Sequence, residues 1–385
     1  MKASHRDEKK IDKKVNKISL GLLGNNISFW FGKNAVLRTL AVLSSIIFCA
    51  MRRLYFESGL EELQNISRKQ IPRADIIYKR IKLKSREEIL AEFMRAQDKL
   101  LSKLRKKFRL LKRKIIVLID KTEIPYWGDK NDEGIVGTKK QRGTSYCFKY
   151  ITIHALFKNI KICLHALPVT FFSDNTKQVD ELLSIAKKKV RIGLLLVDRE
   201  FANSKIIKVI ENYDLKYIAP IEKNDKIKRM IKEAHWRRKN FYQKYEFESG
   251  VATTVFFTKD KSKDFPEPLS DQYFSWCTNL KVNDSNREAL VDIYGKRWNI
   301  ENFYRDGKGN FLIKTKTKIF KVRLFFFLLA ALLYNLWQLV RAIAGENITA
   351  QKWKSSVYEL LYLSAKLWYS TNYEHEMWRE LVKAS

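Results

Sequence analysis

The hydrophobic pattern of this chain changes period once, and that change divides it. Through the first 112 residues, apolar positions recur at helical spacing. NAVLRTLAVLSSIIFCAMRRLYF reads as a long apolar helix with an arginine pair near its end. GLEELQNISRKQIPRADIIYKRI reads as two short helices, the second beginning near Pro72, whose fixed φ suits a first helical turn. SREEILAEFMRAQDKLLSKLRKKFRLLKRK is acidic early and basic late, as the helix dipole favours. At Ile115 the pattern switches to short apolar runs rich in branched residues. KIIVLID and IGLLLVD predict buried strands, each running into an aspartate, Asp120 and Asp198. SYCFKYITIHALF and KICLHALPVTF predict an antiparallel pair turning at Lys158 and Asn159. NTKQVDELLSIAKKKV predicts a helix capped by Asp174 or Asn175, ANSKIIKVIENY a second helix, and LKYIAPI a further strand. The class is α/β, a mixed sheet with helices.

Residues 221–280 interrupt this alternation. They open with a basic helix, KIKRMIKEAHWRRKNF, and continue with two strands, VATTVFFTK and QYFSWCTNL, so they read as a strand-rich insertion. A helix then starts between Ser285 and Glu288 and reaches Tyr304. Residues 310–341 predict a strand or turn and a strongly apolar helix; residues 350–385 read as an amphipathic helical cap. The expected organisation is a helical DNA-binding region at 1–112, a catalytic domain from 113–220 and 281–345, the insertion at 221–280, and a helical C-terminal region at 346–385. The short helices around Pro72 would suit a helix-turn-helix reader of DNA or an ordinary helical bundle.

Charge narrows the class of partner. The 385 residues carry 75 Lys and Arg against 42 Asp and Glu, a net charge of +33. The excess recurs at residues 1–17, 79–114, 187–191, 223–244 and 314–323. A distributed excess suits a long polyanion, the alternative being a protein that is merely basic. Cys49, Cys147, Cys163 and Cys277 form no close metal-ligand pair, and the five histidines form no HxH or HxxxH pattern, so neither zinc nor a disulfide framework is expected. A reducing compartment fits. The polar first 17 residues predict no signal peptide. The apolar runs Ala35 to Met51 and Leu324 to Tyr334 are broken by Arg38, Ser44 and Ser45, and by Asn335 and Gln338, and predict buried helices rather than membrane spans.

The candidate chemistry lies in carboxylates. A strand-end aspartate among apolar residues is costly unless paired or bound to a cation. Asp120 could instead cap a turn, and Asp198 could pair with Arg199. In YGKRWNIENFYRDGK, Tyr294, Arg297 and Glu301 are spaced three and four apart and share one helix face, with Lys308 two turns further on. Gly307 and Gly309 flank Lys308 and could end the helix first.

These residues resemble the DDE transposases of prokaryotic (here, by this reading, archaeal) cut-and-paste insertion sequences. That superfamily carries a Y-x2-R-x3-E-x6-K signature, which Tyr294, Arg297, Glu301 and Lys308 match in full. Asp120 and Thr122 match its Asp-x-Thr element; Asp198, Arg199 and Phe201 match the second aspartate, with Glu200 departing from the usual small residue. Thr278 and Asn279 match the Thr-Asn pair that often ends the insertion. The resemblance covers about residues 113–345. It implies a ribonuclease-H-like core in which Asp120, Asp198 and Glu301 are catalytic and hold two divalent ions, Mg2+ or, in its place, Mn2+. It also implies that Tyr294, Arg297 and Lys308 contact DNA phosphate. Trp236, Trp276 and Trp298 are candidates to stack an exposed base, although tryptophans more often serve the core. The partners implied are double-stranded DNA, as terminal inverted repeats and target, and a second copy of the chain in a synaptic homodimer; no membrane is involved, and the location is cytoplasmic, at the nucleoid. A site-specific endonuclease with the same core and a non-catalytic DNA-binding repressor are the alternative readings.

Overall fold

The computed structural model describes residues 21, 23–30, 39–67, 70–108, 112–237, 240–262, 266–344 and 348–367. Four helices come first: α1 Thr39–Arg52, α2 Phe56–Ile66, α3 Ala74–Lys82 and α4 Arg86–Phe108. The long apolar run forms α1, which stops where Arg53 adopts φ 58, a left-handed conformation, and its last residue, Phe56, opens α2. Pro72 lies two residues before α3 rather than within its first turn.

The sheet begins with β1 Ile115–Tyr126, β2 Val136–Gln141, β3 Thr144–Phe157 and β4 Ile160–Val169. Then come α5 Asn175–Lys189, β5 Ile192–Val197, α6 Ser204–Asn212 and β6 Tyr217–Pro220. Asp174 caps α5 by accepting hydrogen bonds from the backbone N–H groups of Thr176 and Lys177. The β3–β4 turn is the two-residue one expected, with Lys158 at φ 51. The insertion contains α7 Asp225–Trp236, β7 Tyr242–Glu246, β8 Ala252–Lys259 and β9 Tyr273–Thr278. Its strands continue the main sheet, because β9 pairs antiparallel with β6. Among the described residues nine strands form one sheet in the order β2-β3-β1-β5-β6-β9-β8-β7, with β4 paired to β3. β1, β5 and β6 run parallel at its centre. The sheet is therefore mixed and flanked by helical regions, as the α/β ribonuclease-H-like reading expects.

The helix expected from about Ser285 to Tyr304 is two: α8 Arg287–Gly295 and α9 Trp298–Phe311. Between them Lys296 and Arg297 keep helical dihedrals but donate to carbonyls three residues back, at 3.1 and 2.7 Å. This one-turn tightening to 3₁₀ geometry separates Tyr294 from Glu301. Gly307 and Gly309 do not end α9. Residues 312–319 form no strand beyond the bridge of Lys314 to Tyr55.

The last helices are α10 Phe320–Ala344 and α11 Ala350–Leu367, the latter packed on α1 and α2. Residues 368–385 of the expected C-terminal cap lie outside the described residues. α10 is long and apolar enough to cross a membrane, yet 94% of its most apolar window is buried within the protein. It lies against β4, α9, α4 and α3, which explains apolar residues all round it. Its two polar interruptions have partners in the sheet. Asn335 Oδ1 accepts from the Cys163 N–H at 2.9 Å, and its Nδ2 donates to the Cys163 carbonyl at 2.7 Å. A single side chain thus satisfies both main-chain groups of a buried residue on the free side of β4.

Asn335→Leu keeps the branched shape and leaves the Cys163 N–H and carbonyl without partners, so it should destabilise the protein by roughly 2–4 kcal/mol. Gln338→Leu should cost less, since Gln338 reaches the Lys161 N–H only at 3.5 Å. Urea unfolding of the two variants tests this; equal losses would mean that the Cys163 bonds carry no special weight.

Candidate active site

The register of the central strands builds the site. β1 and β5 pair in parallel with Ile119 opposite Val197, so the next residues, Asp120 and Asp198, stand side by side. Neighbouring strands lie about 4.8 Å apart, which puts both carboxylates on one small stretch of sheet. Asp120 is not at the end of its strand: β1 continues six residues beyond it, paired to β3. β5 does end at Val197, where Asp198 precedes the 3₁₀ turn Arg199–Phe201 and the buried Phe201 ring anchors that turn.

The tightened turn before α9 carries Arg297 to these acids. Its Nη1 donates to Asp120 Oδ2 and its Nη2 to Glu301 Oε1, both at 3.0 Å. Its Nε is buried with no acceptor among the described residues. Tyr294 is buried, donates its hydroxyl to the Val197 carbonyl at 3.3 Å and sets its ring 5.7 Å from the Arg297 guanidinium. Tyr304, one turn past Glu301, donates to the Asp120 carbonyl at 2.9 Å. Lys308 donates to Thr122 Oγ1 at 2.7 Å and to the Glu123 carbonyl at 3.0 Å. Arg297, Tyr304 and Lys308 therefore clamp the turn before α9 and one face of α9 onto residues 120–123 of β1.

Burial pushes the Asp120 carboxyl up to about 7; Arg297 and the Lys121 N–H oppose the rise, and the negative charges of Asp198 and Glu200 add to it. Burial also pulls the Lys308 ammonium down to about 8, against the nearby Glu123 and with Arg142.

The residues open onto a cleft of about 1080 Å³. Asp120, Asp198, Tyr294, Arg297 and Lys308 line it, as does Trp276. Glu301, with 40% of its side chain exposed, stands beside the lining and reaches Asp120 through Arg297. Sequence reasoning missed the rest of the wall. Lys121 pairs with Glu200 at 2.9 Å and Lys149 with Glu123 at 2.7 Å, while Lys139 and Lys140 project from β2. Lys139 and Lys140 lie in the stretch IVGTKKQRG, whose turn signal, Arg142–Gly143, could have revealed β2.

Of the three tryptophans, Trp276 is buried, donates to Thr258 Oγ1 at 3.0 Å and meets Tyr294 edge-on at 4.8 Å. Trp298 is exposed at the start of α9, next to Arg297. Trp236 is exposed at the end of α7, against His235, and lies away from the cleft lining.

No group of three or more His, Cys, Asp and Glu side chains that could hold a metal is gathered among the described residues. Arg297 stands between Asp120 and Glu301, bonded to both. The donor chemistry still fits a hard divalent cation: carboxylate oxygens, one of them destabilised as an anion by burial and by two neighbouring acids.

Residues 111–336, more than half of the chain, match the family described as transposase DDE domain. Among solved structures the chain resembles a cryo-EM structure of piggyBac transposase, described as a synaptic complex with hairpin DNA. The TM-score is 0.57 at 11% identity, over 97% of this chain and 82% of that one, a likeness of fold. No curated protein matches the sequence.

The raised Asp120 pKa has a measurable sign. Between its ordinary value near 3.9 and the folded value of about 7, the folded state holds a proton that the unfolded chain has lost. This contribution to stability is full below about pH 4 and disappears as the pH rises through 7. From about pH 5 to about pH 8, the metal-free protein should lose on the order of 1–3 kcal/mol more than its Asp120→Asn variant. Parallel stability profiles for the two proteins, measured in chelator, would show that Asp120 is not so perturbed.

Proposed function

The chain belongs to the transposase DDE domain family, and from that premise we propose that it is a metal-dependent DNA transposase. In this reading it cleaves the ends of its element and transfers the freed 3′-hydroxyls into target DNA. The observation that carries the proposal is the register that sets Asp120 beside Asp198, with Arg297 and Lys308 delivered to the same cleft. The net charge of +33 suits the polyanion.

Asp120, Asp198 and Glu301 are the side chains that would hold two divalent ions, Mg2+ or Mn2+. When bound, such ions supply Lewis acidity to the phosphoryl oxygens and lower the pKa of an attacking water or hydroxyl. Glu301 becomes available to a metal when Arg297 gives up their shared bond. A phosphate oxygen is a fitting acceptor for that guanidinium, which binds phosphate in bidentate fashion and has an unused Nε donor. Lys308, tied to β1, presents its ammonium at the same wall. Tyr294 orients Arg297 from below, its own hydroxyl being engaged by Val197. The helices of residues 1–112 would read the terminal repeats, and two copies would pair the ends, in the cytoplasm at the nucleoid of a prokaryotic cell.

The test is incubation of the protein with DNA carrying the element's ends and a target plasmid, with and without Mg2+ or Mn2+. Metal-dependent cleavage with joined products is expected. Asp120→Asn, Asp198→Asn and Glu301→Gln should each abolish both products while leaving end binding in chelator little changed. Cleavage without joining would support the endonuclease reading; binding with neither product would support the repressor.

Arg297→Gln should separate the two roles of the guanidinium. Removing a positive charge beside two acids should tighten Mn2+ binding to the DNA-free protein by on the order of tenfold, while end binding weakens. Calorimetric titration of Mn2+ checks this. Unchanged or weaker Mn2+ affinity would mean that Arg297 does not compete with a metal.

A further inference from the structure

A second cavity, of about 800 Å³, opens between the N-terminal helices and the far side of β1 and α9. Glu123, Gln141 and Lys308 line both it and the catalytic cleft, so the two spaces meet across the Lys308 ammonium. The second cavity differs in charge. Arg53, Arg142, Arg305, Lys308, Lys314 and Arg323 line it, and Glu123 is its sole carboxylate, already paired with Lys149 at 2.7 Å. Among the described residues Arg53, Arg142 and Lys314 are exposed and pair with no carboxylate.

Aromatic rings stand among these cations. Trp127 is 64% exposed and Tyr55 47%, both in the lining. The Trp127 ring is held in place, because its Nε1–H donates to the Arg142 carbonyl at 3.0 Å. Arg142 itself has φ 50 and Gly143 φ 85, the two left-handed residues of the tight β2–β3 turn. Asparagine or glycine would take the first position with less strain, so the turn keeps an arginine at the rim against its conformational preference.

We infer that this cavity is a binding groove for an unpaired DNA strand that leads away from the catalytic cleft past Lys308, with Trp127 stacking on a base. That the strand is DNA rests on the transposase reading above. The volume lies within the roughly 300–1,000 Å³ of small-ligand pockets, room for one or two nucleotides. Exposed rings need the open face of an unpaired base, and unpaired cations need phosphates; together they are the elements of single-strand binding. A paired base offers no face to Trp127.

The experiment measures binding in chelator, where no cleavage occurs, using a fluorescent oligothymidylate of about ten nucleotides and a duplex of equal length. Trp127→Ala should weaken the single strand by about tenfold and leave the duplex within about twofold. Trp127→Phe, which keeps a ring but loses the bond to Arg142, should retain most of the single-strand affinity. Lys314→Gln should reduce the slope of log affinity against log salt for the single strand by about 0.7. Thermal melting at the wild-type temperature establishes that each variant is folded. Single-strand affinity unchanged in Trp127→Ala, or lost equally for both probes, overturns the inference, as does a wild-type protein that ignores the oligothymidylate. A protein that binds single strands through Trp127 yet never cleaves with metal leaves the groove standing and sinks the transposase reading instead.

Discussion

The seam between β1 and α9 is the constraint on which the site depends. A buried carboxylate beside two other acids is unfavourable, and Asp120 is tolerated because elements far along the chain meet it from three directions. Arg297 neutralises its side chain, Tyr304 satisfies its carbonyl, and Lys308 fixes Thr122 and Glu123 on the following turn of the strand. None of these contacts is local, since each joins residues more than 170 positions apart. The same side chains set the phase of α9, because they recur seven and then four residues apart, about two turns and one, on one side of the helix and the turn before it. Loss of the seam would free a helix as well as unbalance a charge.

What holds α9 from behind is α10. An all-apolar helix needs an all-apolar environment, and the sheet supplies one face of it through β4. Because β4 pairs with β3 alone, its outer edge would bury unpaired peptide groups under that helix. Asn335 meets two of those groups, and the Lys189 ammonium reaches the Leu164 carbonyl at 3.1 Å. The polar residues that interrupt the hydrophobic run are thus the ones that let it lie on a strand edge. A lipid environment would leave them without such partners.

Much of this was legible because it is local or periodic. The apolar runs gave β5 and the first half of β1, Asp174 announced α5, and the spacing of Glu301 and Lys308 placed both on α9, whereas Tyr294 falls on the helix before it. The misreadings share a physical origin in tertiary contact. β1 runs on through the polar residues Lys121 to Glu123 because β3 pairs with them, which no local pattern records. β2 is half-exposed and polar, so it lacks the hydrophobic alternation of a strand. The tightened turn at Lys296 and Arg297 brings Arg297 to Asp120, a contact between distant segments that no local pattern records. Glu301 was expected to join the two aspartates; its guanidinium partner, four residues earlier in the same motif, holds it aside.

The two cavities also differ in how their charges are paired. In the larger cleft Lys121 comes with Glu200 and Lys149 with Glu123, and Lys139 and Lys140 stand beside these pairs. The Asp198 carboxylate makes no ion pair or hydrogen bond among the described residues and stands beside another that is costly to ionise. Such a wall gains most from an added cation. Across Lys308 the balance reverses, and cations without partners gain most from an added anion. An ammonium with a depressed pKa at the junction suits either side, since its charge is the cheapest of the group to give up and its position is fixed by β1 rather than by a counter-ion. A metal-bearing phosphodiester on one side and a bare phosphate on the other would satisfy both walls at once.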